Sequence, residues 1–339
     1  MILSIIVPVY NVENYVEECI KSIISQHLND FEIVVVDDGS TDSSGLICDN
    51  LANSDSRIKV YHKNNGGLMS AWKYGVNHSD SKYIGFVDSD DWIDSDMYSR
   101  MINIAELENA DIVTSNLIQE FSDGRPSVRS ISVLKEGLYT NDMFDNMVFP
   151  LLISGGNYIT RGIQPHRVTK IYRRSILERS MEFCVDSVSI GEDLLTLFAA
   201  IQFAKRIYVM SDFCPYHYRI NNSSMINKFS DYNYNQICVL RSQLLIVNNY
   251  FKFDFSKQIN TDFIKLILMQ IEREILCFNG NYYTLSKLIK ERCNTYLLSD
   301  IIEKSETELL PKKYRLYLML MKRNLYLFCI VLRKLLSAI

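Results

Sequence analysis

Three carboxylates fall within four consecutive positions, Asp88, Asp90 and Asp91, directly after the apolar run Tyr83-Ile84-Gly85-Phe86-Val87. Acids this close repel one another unless a cation sits among them. Hard oxygen ligands at the end of a strand suit Mg²⁺ or Mn²⁺, and such an ion commonly keeps substrate phosphates as its other ligands. The same residues also make an acidic turn leading into a helix, because acids favour turns and helix starts.

The elements that must position these acids follow from the pattern around them. Residues 2–10, 31–36, 57–62, 83–87 and 111–116 are apolar, β-rich runs. Pro8, near the end of the first, demands a strand terminus or an unpaired position. Helical patterns fill 68–77 and 97–107, and another runs from a cap at Asn14 to about Gln26. Asp37-Asp38-Gly39-Ser40-Thr41-Asp42 forms a loop that opens a further helix. Strands alternating with helices predict an α/β fold with a doubly wound, mostly parallel sheet. Ligands bind at the carboxyl ends of such strands. Beyond Leu117 the rhythm breaks, with a polar hairpin or loop over 121–137, a helix over 141–153 and a strand over 168–173. Ser189-Ile190-Gly191-Glu192-Asp193 opens an apolar helix over 194–204. From residue 232 onward the pattern is almost wholly helical, and the domain boundary is expected near Lys228.

Composition narrows the choice. The chain has 339 residues, 47% hydrophobic and 22% charged, which allows a substantial core. Its net charge of −4 gives no reason to expect a nucleic-acid partner. Eight cysteines show no C-x-x-C or metal spacing and read as reduced core thiols. The first residues enter a strand without a basic leader, and no run of about 18 apolar residues suggests a membrane span. The expectation is a cytoplasmic chain. A glycine-rich phosphate loop or G-x-G-x-x-G is absent after the first strand. That speaks against a nucleotidyltransferase or a dehydrogenase.

Four stretches together resemble the family 2 glycosyltransferases of the GT-A fold. They are Ser4-Ile5-Ile6-Val7-Pro8-Val9-Tyr10-Asn11, Ile33-Val34-Val35-Val36-Asp37-Asp38-Gly39-Ser40-Thr41-Asp42, Val87-Asp88-Ser89-Asp90-Asp91-Trp92 and Gly191-Glu192-Asp193. The resemblance covers residues 1–220 and implies a catalytic domain over 1–228. Residues 1–116 would bind the nucleotide sugar and 117–228 the acceptor, with a helical region over 229–339. It implies that Asp88 and Asp90 hold Mn²⁺ or Mg²⁺ and the donor ribose, with Asp91 in support. Pro8, Val9, Tyr10 and Asn11 would line the base, and Asp38 would contact it. A carboxylate accepting from a ring N–H favours uracil or thymine over cytosine, and the expected donor is a UDP-hexose or UDP-N-acetylhexosamine. Asp37 reads better as a buried structural acid. Asp193 would be the general base for an acceptor hydroxyl, with Glu192 beside it, although the pair also suits a helix start. His217 would complete the metal or diphosphate site, Arg219 would hold phosphate, and Lys170 would precede the acceptor site. His217 as a structural residue and Lys170 as a solvated strand-end lysine stand beside these roles.

One position departs from the family. In the run Ala71-Trp72-Lys73-Tyr74-Gly75, Trp72 stands where many members carry an arginine facing the donor. Lys73 could supply the charge to the cofactor site, yet adjacent helix positions point in different directions. The reading is a metal-dependent inverting glycosyltransferase that acts on a glycan or lipid-linked glycan in cell-surface polysaccharide synthesis. A non-catalytic sugar- or lipid-binding scaffold on the same fold is the alternative.

The C-terminal stretch contains seven bases and no acid after Glu308. A helix over 312–336 would place bases at 312, 323 and 334 on one side. Leu318, Met321, Leu325, Phe328, Leu332 and Leu335 would lie on the other. Such a helix suits an anionic membrane at the cytoplasmic face, or packs on the protein with its lysines solvated.

Overall fold

The computed structural model describes residues 1–154, 161–220 and 230–336. β1 (Leu3–Val9), α1 (Val16–Ile24), β2 (Phe31–Asp37), α2 (Ser44–Ser54), β3 (Ile58–His62), α3 (Leu68–Asn77) and β4 (Tyr83–Phe86) alternate as the pattern predicts. Every residue of β1, β2 and β4 is buried, which is why these strands are continuous apolar runs. They pair in parallel in the order β3-β2-β1-β4. The ladder to β4 ends at Ile6 and Phe86, so Pro8 lies past its last pair. α3 lies close against β1 because Gly75 has no side chain; a Cβ there would stand 2.4 Å from Ile6 Cγ2. Asn14 does not cap α1, whose first turn follows Tyr15 without a side-chain cap.

The chain continues through β5 (Trp92–Ile93), α4 (Met97–Leu107), β6 (Ile112–Thr114), β7 (Leu117–Phe121), β8 (Val128–Ser130) and β9 (Gly137–Thr140). The polar stretch after Leu117 is a hairpin, with β7 and β8 antiparallel. Residues 141–153 are not one helix. A one-turn α5 (Asn141–Met143) leads into a wide turn of helix over Phe144–Val148 and a tight one over Phe149–Leu151. Pro150 removes a donor and bars a regular helix there. The strand expected over 168–173 begins only at Lys170. Arg167–Thr169 is a 3₁₀ turn, then come β10 (Lys170–Arg173), α6 (Arg174–Met181), α7 (Glu192–Phe203), β11 (Arg206–Val209) and β12 (Tyr216–Ile220). β10 lies antiparallel between β4 and β6, completing the eight-stranded order β3-β2-β1-β4-β10-β6-β11-β9. A second sheet runs β5-β12-β7-β8.

Two compact units result. One comprises Met1–Val148 and Gly162–Asn222; the other comprises Phe149–Arg161 and Ser223–Ile339. The short segment before residue 162 thus belongs with the helices, unlike the single cut expected near Lys228. In the second unit follow α8 (Asp231–Asn248), α9 (Ser256–Cys277), α10 (Tyr282–Tyr296), α11 (Ser299–Glu303), α12 (Lys312–Lys322) and α13 (Tyr326–Leu336). The C-terminal helix is broken: Asn324 adopts φ +59, a left-handed turn that asparagine tolerates. Among the described residues no helix is long and apolar enough to cross a membrane. None of the eight cysteines is paired.

Candidate active site

Asp88, Asp90 and Asp91 follow the last residue of β4, and β12 grips them from the side. The buried Tyr216 hydroxyl accepts from the Asp88 backbone N–H at 3.1 Å and donates to Asp91 Oδ2 at 2.7 Å. The Arg219 backbone N–H donates to Asp91 Oδ1 at 2.8 Å. Asp91 is therefore spent on holding the loop. Asp88 is half-buried, and its Oδ1, shut from solvent, has no hydrogen-bond partner. Burial pushes the Asp88 carboxyl up to about 7; Arg167 opposes this, while Asp193 and Asp90 add to it. Burial likewise raises Asp90, and it raises Asp91 with help from Asp88 and Asp90. A buried acceptor without a donor, among acids that resist ionisation, fits a cation site. Among the described residues no three His, Cys, Asp or Glu side chains gather as a metal set. Asp88 and Asp90 would thus leave several positions to substrate oxygens, as Mg²⁺ and Mn²⁺ accept.

Glu192 and Asp193 open α7, and Gly191 before them takes φ +78 to turn the chain into the helix. Asp193 keeps 28% of its side chain exposed, and its Oδ1 lies 3.4 Å from Nη1 of the buried Arg167. Glu192 is pushed up to about 7 by burial and by Asp193, with Arg167 opposing. The Asp193 charge adds to the rise at Asp88, and Arg167 acts on both, so the two acidic motifs are electrostatically linked.

Several expected residues have other partners. His217 is engaged at both ring nitrogens, by Glu120 at 2.8 Å and Asp94 at 3.1 Å, and its ring stacks on Trp92 at 5.0 Å. That removes it from the metal set in this structure. The Arg219 guanidinium donates to the Asp90 carbonyl and to Glu18, which shapes the acidic loop; it does not reach out for phosphate. Lys73 pairs with Asp186 at 2.7 Å, so position 73 does not replace the missing arginine. Trp72 is fully buried, edge-on to Phe86. Lys170 is not a solvated strand-end residue. It is wholly buried, with Nζ donating to the carbonyls of Gln164 at 2.5 Å and His166 at 2.7 Å, and burial holds it down to about 7.

The loops after β1 and β2 are tightly braced. Asp38 accepts from Lys63 at 2.5 Å and from the Gly66 and Gly67 N–H groups at 3.0 Å and 2.8 Å. Both its oxygens are used within the protein, where a free base-reading carboxylate was expected. Asp37 accepts from the Ser40 N–H at 2.9 Å and meets His62 Nδ1 at 2.8 Å. Pro8 and Val9 lie buried at the end of β1, with Val9 beside Asp37 in register. Tyr10 is exposed, and Asn11, at φ +51, accepts from the Thr41 N–H at 2.8 Å. Sequence reasoning missed Tyr216 and Arg167. Tyr216 sits beside His217 in a run already singled out, but its own hydroxyl was not weighed, and no spacing marks Arg167.

Residues 4–179 match the family described as glycosyl transferase family 2, and the chain belongs to it. It is 35% identical over 224 residues to the uncharacterized glycosyltransferase EpsJ of Bacillus subtilis (strain 168), covering 66% of this chain and 62% of that one. It is 30% identical over 221 residues to a poly(ribitol-phosphate) beta-glucosyltransferase of Bacillus spizizenii, covering 64% and 32%. The chain thus spans less than two thirds of either relative. In three dimensions it superposes on residues 1–349 of S. aureus TarS, crystallised with UDP-GlcNAc. The TM-score is 0.65 at 20% identity, over 98% of this chain and 91% of that one. The fold is GT-A, with helices following it.

Proposed function

We propose that this chain is a metal-dependent inverting glycosyltransferase. It would move a hexose or N-acetylhexosamine from a UDP-sugar to a hydroxyl of a glycan or lipid-linked glycan in bacterial cell-surface polysaccharide synthesis. The observation that carries this reading is Asp88 beside Asp90 at the end of β4, with its buried Oδ1 lacking a hydrogen-bond partner and its charge coupled to that of Asp193 at the start of α7. Asp88 and Asp90 would hold Mn²⁺ or Mg²⁺. When bound, the ion offsets charge on the departing diphosphate. The Asp193 carboxylate takes the proton from the acceptor hydroxyl as its oxygen attacks the anomeric carbon opposite the leaving group. Arg219 and Tyr216 fix the acidic loop so that Asp90 and Asp88 stay aimed. The ends of β1 and β2, with Asn11 tying Thr41, form the place for the base. UDP-GlcNAc in TarS and the glucosyl transfer in the name of the Bacillus spizizenii relative support a UDP-sugar donor. Turnover across UDP-glucose, UDP-GlcNAc, UDP-galactose and GDP-mannose tests the reading. UDP release from at least one UDP-sugar, dependent on Mn²⁺ or Mg²⁺, is expected; turnover of GDP-mannose alone would overturn the donor.

The same reading places the chain against the cytoplasmic leaflet. Lys313 pairs with Glu272 at 2.9 Å, Arg333 lies 3.5 Å from Glu272, and Lys334 donates to carbonyls at the end of α9, so these bases face the protein. The packed side is Tyr314, Tyr317, Met321, Tyr326, Cys329 and Ile330. Of the expected apolar face only Met321 is buried, while Leu325, Phe328 and Leu335 are exposed. With Leu316, Met319, Leu327 and Val331 they lie among the exposed bases Lys312, Arg315, Lys322 and Arg323. That combination suits an anionic bilayer surface.

A further inference from the structure

One buried cation stands behind the site, and no motif announced it. Arg167 lies on the 3₁₀ turn ahead of β10 and is 1% exposed. Its guanidinium sits 5.5 Å from the Trp72 ring centre and 5.1 Å from that of Phe86. Aromatic faces attract a cation held this way. On the site side, Nη1 is 3.4 Å from Asp193 Oδ1. Neither Nε nor Nη1 has a hydrogen-bond partner. Lys170 pins the same turn through the carbonyls of Gln164 and His166 and through Thr169 Oγ1.

A guanidinium so enclosed is costly unless its charge is used. Burial works against ionisation, yet Asp193, Asp88 and Glu192, in that order, outweigh it and keep Arg167 charged. The side chain is 1% exposed, so its charge acts through the acids around it. Of the three acids, Asp193 is the one it meets as an ion pair, and 28% of the Asp193 side chain is exposed. Trp72 then has a purpose that its place in α3 did not suggest. Its buried ring is part of the wall that sets the plane of the guanidinium.

We propose that Arg167 is a positioning residue for Asp193. The ion pair, braced by Trp72 and Phe86, holds one edge of the carboxylate from inside and presents the other to the acceptor hydroxyl. The proposal rests on Asp193 being the base, and the two can fail separately. The test is a double-mutant cycle of Arg167→Met and Asp193→Asn in the full chain. UDP release is read from UDP-glucose and UDP-GlcNAc as probe donors, with donor KM and kcat measured separately. Arg167→Met is expected to lower kcat by about tenfold or more at a donor KM within about twofold of wild type. In the Asp193→Asn background the same change should move the residual rate by less than about twofold, because the carboxylate it serves is gone. Arg167→Lys, which keeps the charge, should recover part of the loss. An equal factor in both backgrounds would overturn the proposal, and so would a loss confined to donor KM. Should the methionine variant not fold, Arg167→Gln goes through the same cycle under the same criteria. If Asp193→Asn alone turned over at the wild-type rate, the base assignment would fall instead.

Discussion

Two regions of this molecule bury carboxylates, and they treat them differently. Along α9, Asp262 meets Arg161 at 2.8 Å and also Lys265; Glu272 meets Lys313 and the Tyr314 hydroxyl, each at 2.9 Å; Glu274 accepts from the Tyr234 hydroxyl at 2.8 Å. At the end of β4, Asp88 is half-buried, yet its Oδ1 is shut from solvent and meets no hydrogen-bond donor. Burial pushes Asp262 up, but Lys265 and Arg161 outweigh it and leave the carboxyl below its ordinary range. Burial pushes Asp88 up to about 7, and Arg167 offsets only part of this. Acids that serve the fold come with their partners. An acid left short of partners in a well-packed sheet waits for a ligand.

The contrast breaks most sharply at Asp193, the proposed base. Asp193→Asn is expected to lower turnover by roughly 10² to 10⁴ at unchanged donor affinity, the usual worth of general base catalysis. A collapse of donor affinity with normal turnover at saturation would make Asp193 a donor ligand instead.

Stability should separate the two regions next. Asp262→Asn strands the Arg161 and Lys265 charges in the interior and should cost about 3–5 kcal/mol. Asp88→Asn removes a charge whose buried oxygen has no hydrogen-bond donor and should leave stability unchanged or higher. Urea unfolding of both variants without metal measures this; equal losses would erase the distinction.

The pH dependence sharpens it further. Asp88 and Glu192 are both pushed up to about 7 in the fold, whereas in an unfolded chain they ionise near ~4. Between those values the folded chain binds more protons, so stability falls as pH rises from about 4 to about 7. His62, raised by its bond to Asp37, acts in the same direction. Asp262 is lowered, so its contribution is lost only on acidification below its ordinary range. Lys170, held down to about 7 by burial, adds stability as pH rises, but only above that value. The urea midpoint of the metal-free protein should therefore be higher at pH 5.5 than at pH 7.0. A midpoint that rises with pH over this window would contradict the account.

How far the sequence reaches differs between the regions as well. β1, β2 and β4 were legible because a strand buried on both faces is a run of apolar residues, whatever its neighbours. The acidic motifs were legible because their residues are adjacent in the chain. β10 sits antiparallel between β4 and β6, and β12 grips the acidic loop; both placements depend on partners distant in sequence. Lys73, Arg219 and His217 carry the right chemistry, but each has a neighbour, Asp186, Glu18 and Glu120 respectively, that spacing does not reveal. Arg167 reads as an ordinary arginine until Trp72 and Phe86 are seen to enclose it. In the last helices, Asn324 alone breaks a pattern that otherwise runs unbroken across it.

The smallest expected effect lies farthest from the acids. The four exposed bases of α12 and the turn after it would each gain about 1 kcal/mol near an anionic surface at low salt. Co-sedimentation with anionic vesicles should fall with added salt and with truncation after Glu308, and should be absent with neutral vesicles. Equal sedimentation of full-length and truncated chains would remove the membrane contact.

The central claim is that Asp88 and Asp90 hold a divalent ion that the nucleotide diphosphate shares. Titration calorimetry with UDP, with and without Mn²⁺, tests it most directly in the wild-type chain and in Asp90→Asn. The account predicts UDP binding that requires Mn²⁺ in the wild type and is lost in the variant while the fold is kept. UDP affinity that is the same with and without Mn²⁺, or unchanged in Asp90→Asn, would contradict it.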